Sequence, residues 1–246
     1  MSSWSSDDIC NPSSLDEMAI YPEAKRLLDY FFASGDIPHI IFHGDVGTGK
    51  TTAATLLAQR IKPDFTINNV FDCGGNITNK EMDAWKVQLV GSKGGLSQFF
   101  SDPPPECFIF DEFHGVHKKI QTDLNIALEN AARNSPCFFC VNDLDSVAPP
   151  IKDRCTIIPF DVAAMHPKKD ELVMFSHHSW SASDWKEELR RVGRIATKKK
   201  GFDINESLED KVLAKNLCCV STRTYIRKLG QEYDMDKFYA KVSSDE

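Results

Sequence analysis

One eight-residue segment, Gly44-Asp-Val-Gly-Thr-Gly-Lys-Thr51, limits the folds open to this chain more than any other. It fits the pattern G-x-x-x-x-G-K-[ST] and follows a short apolar run, residues 39–43, that predicts a buried strand. Residues 51–61 after it contain no helix breaker and predict a helix. Glycines let such a loop curl so that its backbone N–H groups face a phosphate at the helix N-terminus. The segment therefore predicts a phosphate-binding loop between a strand and a helix.

The residues of this loop suit a nucleoside triphosphate with its metal ion. The Lys50 ammonium can reach the terminal phosphates of ATP, and the Thr51 hydroxyl can be a ligand of Mg²⁺. A chance match in a glycine-rich turn is the alternative, and the strand and helix predicted around the loop argue against it. We expect the nucleotide to be bound by Gly44, Asp45, Val46, Gly47, Thr48, Gly49, Lys50, Thr51 and Thr52.

Polar residues also follow two later apolar runs. Asp111 and Glu112 end the run 107–110, and Asn142 follows the run 137–141. Because parallel strands bring their carboxyl ends to one edge of a sheet, we expect these side chains near the loop. We predict that Asp111 holds Mg²⁺, that Glu112 orients and polarises the attacking water, and that Asn142 binds the γ-phosphate and that water. Taken alone, such residues at strand ends are more often turn features.

The order of apolar runs predicts an α/β fold. Apolar runs within 39–43, 107–110, 137–141 and 156–158 lack polar alternation, which is typical of strands buried on both faces of a parallel sheet. A further strand is predicted within 66–71. A helical spacing from Ile120 to Ala131 separates two of them. We predict a three-layer P-loop core with a parallel five-stranded sheet over residues 1–161. Residues 162–246 predict a small all-helical lid domain of three amphipathic helices, the third capped by Ser221.

Composition narrows the setting of the protein. The chain has 246 residues, 41% of them hydrophobic, and no apolar run long enough to cross a membrane. Its start is polar and acidic, and several of its eight cysteines (Cys107, Cys137 and Cys140) fall within apolar runs, so we expect reduced thiols and a cytoplasmic location. The net charge of −7 does not favour non-specific nucleic-acid binding. A basic cluster at Lys186, Arg190, Arg191, Arg194 and residues 198–200 is best interpreted as a solvated helix face, with a nucleic-acid patch as the alternative.

Together these segments resemble AAA+ ATPases of the clamp-loader group, namely the ATPase subunits of T-even-like phage loaders and the small subunits of replication factor C. The resemblance runs from about Ser14 to Gly230. It rests on residues 37–52, 110–113, 141–142 and 150–155, and on the pairing of 200–204 with 221–229. It implies hydrolysis of ATP with Mg²⁺ in DNA replication, and it implies other AAA+ subunits, a sliding clamp and primer–template DNA as partners.

The resemblance also implies roles for residues that composition alone leaves unassigned. Asn142 corresponds to sensor 1, and Arg223 corresponds to sensor 2, which contacts the γ-phosphate from the lid. Arg154 corresponds to a finger that acts on ATP in a neighbouring subunit. A finger supplied in trans makes hydrolysis depend on assembly, because the stabilising charge arrives only with the neighbour.

Three features depart from that family. Loader subunits carry a third, helical collar domain, for which no segment follows the predicted lid. Asp153 stands where the family has serine, and Asn125 stands where loaders usually place an arginine that links DNA contact to the ATP site. Two other functions therefore stay open: a viral superfamily 3-type replicative helicase, and an assembly factor that uses ATP mainly as a structural switch.

Overall fold

The computed structural model describes residues 12–75, 77–91, 106–130, 135–160, 182–199, 201, 204–215 and 221–242. They form two compact units. The sheet unit comprises Pro22–Gly44 and Lys50–Pro159, and the helical unit comprises the described parts of Met1–Tyr21, Asp45–Gly49 and Phe160–Glu246. The predicted domain boundary between residues 161 and 162 lies outside the described residues and stays a prediction.

The described part of the sheet unit contains one parallel sheet of five strands. The strands are β1 (Ile40–His43), β2 (Val70–Asp72), β3 (Phe108–Asp111), β4 (Cys137–Val141) and β5 (Thr156–Pro159). Their order across the sheet is β2-β3-β4-β1-β5, and every neighbouring pair is parallel. The predicted five-stranded parallel sheet is therefore confirmed. β2 begins later than the predicted range, 66–71, because Ile67–Asn69 forms a 3₁₀ turn.

One helix precedes the first strand, and the others connect the strands. They are α1 (Pro22–Ser34), α2 (Lys50–Ile61), α3 (Asn79–Gly91), α4 (Lys118–Asn130) and the single turn α5 (Pro149–Lys152). The helices α2 and α4 were predicted, whereas α1 and α3 were not. A capping box precedes α3, since the Thr78 N–H donates to Glu81 Oε2 at 2.8 Å and the Glu81 N–H donates to Thr78 Oγ1 at 3.3 Å. The sequence therefore contained a local signal for α3.

Aromatic side chains fill the sheet unit on both faces of the strands. Phe110 stacks on Phe139 with ring centroids 5.0 Å apart, and Phe71 stacks on Trp85 at 4.8 Å. All five residues of β4 are buried, as expected for a central strand without polar alternation. Polar side chains consequently gather beyond the carboxyl ends of the strands.

The helical unit contains three longer helices, α6 (Ala182–Lys199), α7 (Glu206–Lys215) and α8 (Thr222–Val242). Apolar residues from all three form one core with Ala19 of the N-terminal segment. The Thr224 N–H donates to Ser221 Oγ at 3.3 Å, which confirms the predicted N-cap of α8. The three predicted helices are thus present. Among the residues described, no helix combines the length and apolar character that a membrane crossing requires.

Candidate functional site

Three neighbouring strands bring polar residues to one edge of the sheet unit. β4 lies between β1 and β3, and His43 pairs with Val141 at the carboxyl ends. The Gly44 N–H donates to Val141 O at 3.1 Å, so Gly44 and Asn142 leave the sheet side by side. Asp111 is the last residue of β3. The strand order therefore places the first glycine of the loop, Asp111 and Asn142 after adjacent strands.

The two residues predicted to hold the metal are in direct contact. Thr51, in the first turn of α2, donates from Oγ1 to Asp111 Oδ1 at 2.9 Å and lies 3.1 Å from Asp111 Oδ2. A hydroxyl oxygen and a carboxylate are the hard ligands that Mg²⁺ prefers. The thiol of Cys140 lies beside Thr51, and burial raises its pKa, so it remains protonated and adds no competing charge. The residues present thus fit a magnesium ion.

Lys50 is held close to the loop that it follows. Its side chain is buried, and Nζ donates to the carbonyl oxygen of Gly44 at 2.7 Å. A buried ammonium anchored on the first residue of the loop is a group suited to bind an anion. Thr52 follows in α2 and is half-buried.

The central part of the loop, Asp45–Gly49, belongs to the helical unit. Gly47 and Gly49 have φ angles of +79° and +101°, a region that favours glycine over other residues. Within the loop, Thr48 Oγ1 donates to Asp45 O at 2.8 Å. The side chain of Val46 is exposed. The loop therefore has the left-handed glycines and internal hydrogen bond of a tight turn.

The start of α8 contacts this same loop. The Arg223 N–H donates to the carbonyl oxygen of Gly47 at 3.3 Å. A Cβ atom on residue 47 would lie 2.8 Å from Ser221 Oγ and 3.3 Å from Arg223 Cβ, so the close approach requires glycine. The predicted sensor 2 arginine thus begins its helix against the phosphate loop, and its own side chain is exposed.

Glu112 has an unusual backbone conformation directly after β3. Its φ and ψ of 53° and 35° are left-handed, and its N–H donates to Asp111 Oδ1 at 3.1 Å. The carboxylate lies over the turn that follows β2, where Glu112 Oε2 is 2.1 Å from the position that a Cβ of residue 74 would take. The Gly74 N–H also donates to Asp72 Oδ1 at 2.9 Å. The lack of a side chain at Gly74 therefore leaves room for the Glu112 carboxylate.

Arg154 lies at the surface of the sheet unit, in the turn between α5 and β5. One guanidinium nitrogen donates to Pro150 O at 3.0 Å, and another pairs with the Glu129 carboxylate on α4. Asn142 is also exposed. A surface position is compatible with a finger that serves another subunit, provided that the guanidinium can leave Glu129.

The basic cluster on α6 is paired with acidic side chains. Arg190 pairs with Asp210 at 2.6 Å, and Arg194 makes two hydrogen bonds of 2.7 Å with the buried Glu209 carboxylate. Arg191 contacts the N-terminal segment and Glu188. These pairs offset the positive charge, which favours the solvated, ion-paired face over the nucleic-acid patch.

Sequence reasoning missed several residues around the predicted site. The residues are Asp72, Gly74, Glu129, Arg191 and Met18. A glycine pair after β2 was a usable signal for the Gly74 turn. Arg191 was noted only as part of the basic cluster, and no signal marks its contact with Met18, which is 173 residues away.

Comparison with known proteins agrees with this geometry. Residues 40–161 match the ATPase family associated with various cellular activities (AAA). The chain is 28% identical over 158 residues to replication factor C subunit 2 of Oryza sativa subsp. japonica, over 61% of this chain and 45% of that protein. It is 30% identical over 156 residues to the sliding-clamp-loader large subunit of Enterobacteria phage T4, over 61% of this chain and 44% of that protein.

The chain thus spans a little under half the length of these relatives. Among solved structures, the RuvB Holliday junction branch migration motor of Thermotoga maritima has a TM-score of 0.62 at 18% identity, covering 94% of this chain and 68% of that chain. A likeness at that identity shows the fold alone. The match over residues 40–161 and the P-loop sheet identify this part of the chain as an AAA ATPase domain, and the chain is similar to clamp-loader subunits.

Proposed function

We propose that this chain binds ATP with Mg²⁺ and hydrolyses it to ADP and phosphate, as one AAA+ subunit of a DNA sliding-clamp loader. The observation that carries the ATPase proposal is the contact of Thr51 Oγ1 with both Asp111 carboxylate oxygens, at 2.9 and 3.1 Å. It joins the phosphate loop to the acidic strand end, with Glu112 as the next residue. The printed names of the relatives support the loader assignment.

Each residue has a distinct task in this proposal. The backbone N–H groups of the loop and the Lys50 ammonium bind the phosphates, and Thr51 and Asp111 would hold the metal. Mg²⁺, when bound, neutralises charge on the phosphate oxygens. Glu112 accepts a hydrogen bond from the attacking water and orients it, since phosphoryl transfer depends on positioning more than on covalent chemistry.

Three further polar residues complete the proposed site. Asn142 binds the γ-phosphate and the water through its amide, and Arg223 contacts the γ-phosphate. The contact of the Arg223 backbone with Gly47 supports that role for Arg223. Arg154 reaches the ATP of a neighbouring AAA+ subunit and supplies positive charge there. Its position at the surface of the sheet unit supports a role in trans.

Glu112→Gln is the sharpest test of hydrolysis, because it keeps the shape of the side chain and removes its charge. We expect binding of a fluorescent ADP analogue to remain at the wild-type level while phosphate release from ATP is lost. Lys50→Ala should instead weaken binding itself. Wild-type phosphate release by Glu112→Gln would show that the assigned role of Glu112 is wrong.

A second experiment tests the loader assignment against its alternatives. Phosphate release is measured with the other loader subunits, a sliding clamp and primed DNA, each added alone and together. We expect stimulation that requires both the clamp and the primed DNA. Unwinding of duplex DNA without a clamp requirement would favour the helicase, and nucleotide binding without phosphate release under every condition would favour the assembly factor.

A further inference from the structure

The N-terminal segment of the helical unit, residues 13–19, lies between α6 and the phosphate loop, and we call it the N-terminal strap. Leu15, Met18 and Ala19 of the strap are buried, and Ala19 packs in the core of the helical unit. A 3₁₀ turn, Leu15–Glu17, bends the strap. A segment buried in this way is an integral part of the unit.

Arg191 of α6 anchors the backbone of the strap. One guanidinium nitrogen donates to Met18 O at 2.9 Å, and another donates to Asp16 O. The guanidinium is held in turn by Glu188, which accepts from Arg191 Nε at 2.8 Å. A planar guanidinium that spans two carbonyl oxygens fixes both the position and the direction of the chain.

Lys199 provides a second contact, roughly two helical turns further along α6. Its ammonium pairs with the Glu17 carboxylate and lies 3.3 Å from Ser13 Oγ. The hydrogen bond from Lys199 lowers the pKa of Glu17, so this carboxylate remains charged near neutral pH. α6 therefore holds the strap at two points.

The strap contacts the phosphate loop through the side chain of Met18. A Cβ atom on residue 49 would lie only 2.7 Å from Met18 Cε, so the methionine side chain packs directly on Gly49. Gly49 has a φ of +101° and is followed by Lys50. The methionine thus occupies the space beside a left-handed glycine whose conformation shapes the loop.

We propose that Arg191 is a positioning residue for nucleotide binding, because it holds Met18 against Gly49 and so keeps the phosphate loop in its binding conformation. This inference rests on the proposed function, since it assumes that the loop binds nucleotide phosphates. In this proposal Arg191 acts through Met18 and makes no contact with the nucleotide of its own. Its loss therefore raises the free-energy cost of ordering the loop and weakens binding, while turnover of the bound complex is unchanged.

The test replaces Arg191 by glutamine and uses Arg190→Gln as the matched control. Arg190 lies on the same helix and pairs with Asp210 and Glu187, without a contact to the strap that would brace Gly49. The Kd of a fluorescent ADP analogue is measured by titration with Mg²⁺, and KM and kcat are measured for ATP. We expect Arg191→Gln to raise Kd and KM roughly tenfold while kcat stays within about twofold. Arg190→Gln should change Kd by less than about twofold.

Two further variants keep the inference falsifiable if Arg191→Gln folds poorly. Arg191→Lys keeps the charge and loses the two-pronged contact, so we expect an intermediate Kd. Met18→Ala should raise Kd as Arg191→Gln does. The Kd of the double variant should not exceed that of the weaker-binding single variant, because both changes act through the contact of Met18 with Gly49.

Several outcomes would overturn the inference. These are a wild-type Kd for Arg191→Gln, an equal loss in Arg190→Gln, or fully additive effects of the Arg191 and Met18 changes. A loss of kcat at unchanged KM would also overturn it. Failure of the wild-type chain to bind any nucleotide would instead refute the proposed function, so the two failures are distinguishable.

Discussion

A methyl group added at Gly74 would probe the position of the proposed catalytic carboxylate without touching Glu112 itself. In Gly74→Ala the new Cβ would lie 2.1 Å from Glu112 Oε2, 3.2 Å from Glu112 Cδ and 3.2 Å from Asp72 Oδ1. Real Cβ contacts essentially never fall under 3.0 Å. The carboxylate must therefore move away from residue 74.

The size of that movement sets the expected effect. To restore an ordinary contact, Oε2 has to retreat by roughly 1 Å, and a displacement of that size costs on the order of 100-fold in rate when it disturbs a reacting geometry. We expect kcat to fall roughly 10- to 100-fold. The displaced atoms are the end of an exposed, flexible side chain, so the free energy of unfolding should change by less than about 1 kcal/mol.

The neighbouring glycine gives a matched control. A Cβ on Gly75 would meet nothing within 4 Å, so Gly75→Ala makes the same chemical change without the collision. Phosphate release, the Kd of a fluorescent ADP analogue and the melting temperature are measured for both variants. We expect Gly75→Ala to match the wild type in all three, and Gly74→Ala to differ only in phosphate release.

A Gly74→Ala variant with wild-type kcat would refute the reasoning, because the Glu112 carboxylate would then be free to move without consequence. An equal loss of kcat in both glycine variants would refute it as well, since the effect would come from the turn and not from the collision. A parallel fall in melting temperature and kcat would assign Gly74 a folding role.

Three further changes test the site and the fold. Thr51→Val removes a proposed magnesium ligand, so the Kd of the nucleotide measured with Mg²⁺ should rise on the order of tenfold, whereas the Kd measured with EDTA should change little. An equal rise under both conditions would contradict the metal role. If Arg154 acts in trans, the rate of phosphate release per subunit should rise with protein concentration, and Arg154→Ala should remove that rise while leaving Kd unchanged. Glu129→Gln frees the guanidinium and should keep the rise. A rise that survives Arg154→Ala would contradict a finger in trans. His39 is half-buried, its Nδ1 accepts from the Cys137 N–H at 2.9 Å, and burial lowers its pKa from 6.5. Its stabilising contribution should therefore be complete above pH 6.5 and be lost as the pH falls through the lowered pKa. As the pH falls below 6.5, the melting temperature of His39→Asn should decline less than that of the wild type. An equal decline in both proteins would show that His39 is not the cause of the loss.

Much of the fold could be predicted because its causes are local. Apolar runs without polar alternation indicated four of the five strands, and the phosphate loop was recognisable from residues that are contiguous in the chain. The N-cap at Ser221 likewise depends on a hydroxyl three residues from the N–H that it accepts. The helices α1 and α3 were missed although α3 has a local capping box, so that omission reflects an unused signal.

The arrangement of the candidate site could be predicted only for residues whose positions follow from the order and direction of the strands. Parallel strands place their carboxyl ends together, which is why Asp111 and Asn142 could be expected near the loop from sequence. The contact of Thr51 with both Asp111 oxygens then follows from β1 and β3 lying on either side of β4.

By itself the sequence determined the phosphate loop, the strand ends and the helical character of the last third, because each depends on neighbours within a few residues. The tertiary structure alone decided that Glu112 lies over Gly74, that Arg154 pairs with Glu129, and that Arg191 holds Met18. Those pairs join segments distant in the chain. Their formation depends on how the packed elements bring side chains together, and no spacing within one segment encodes it.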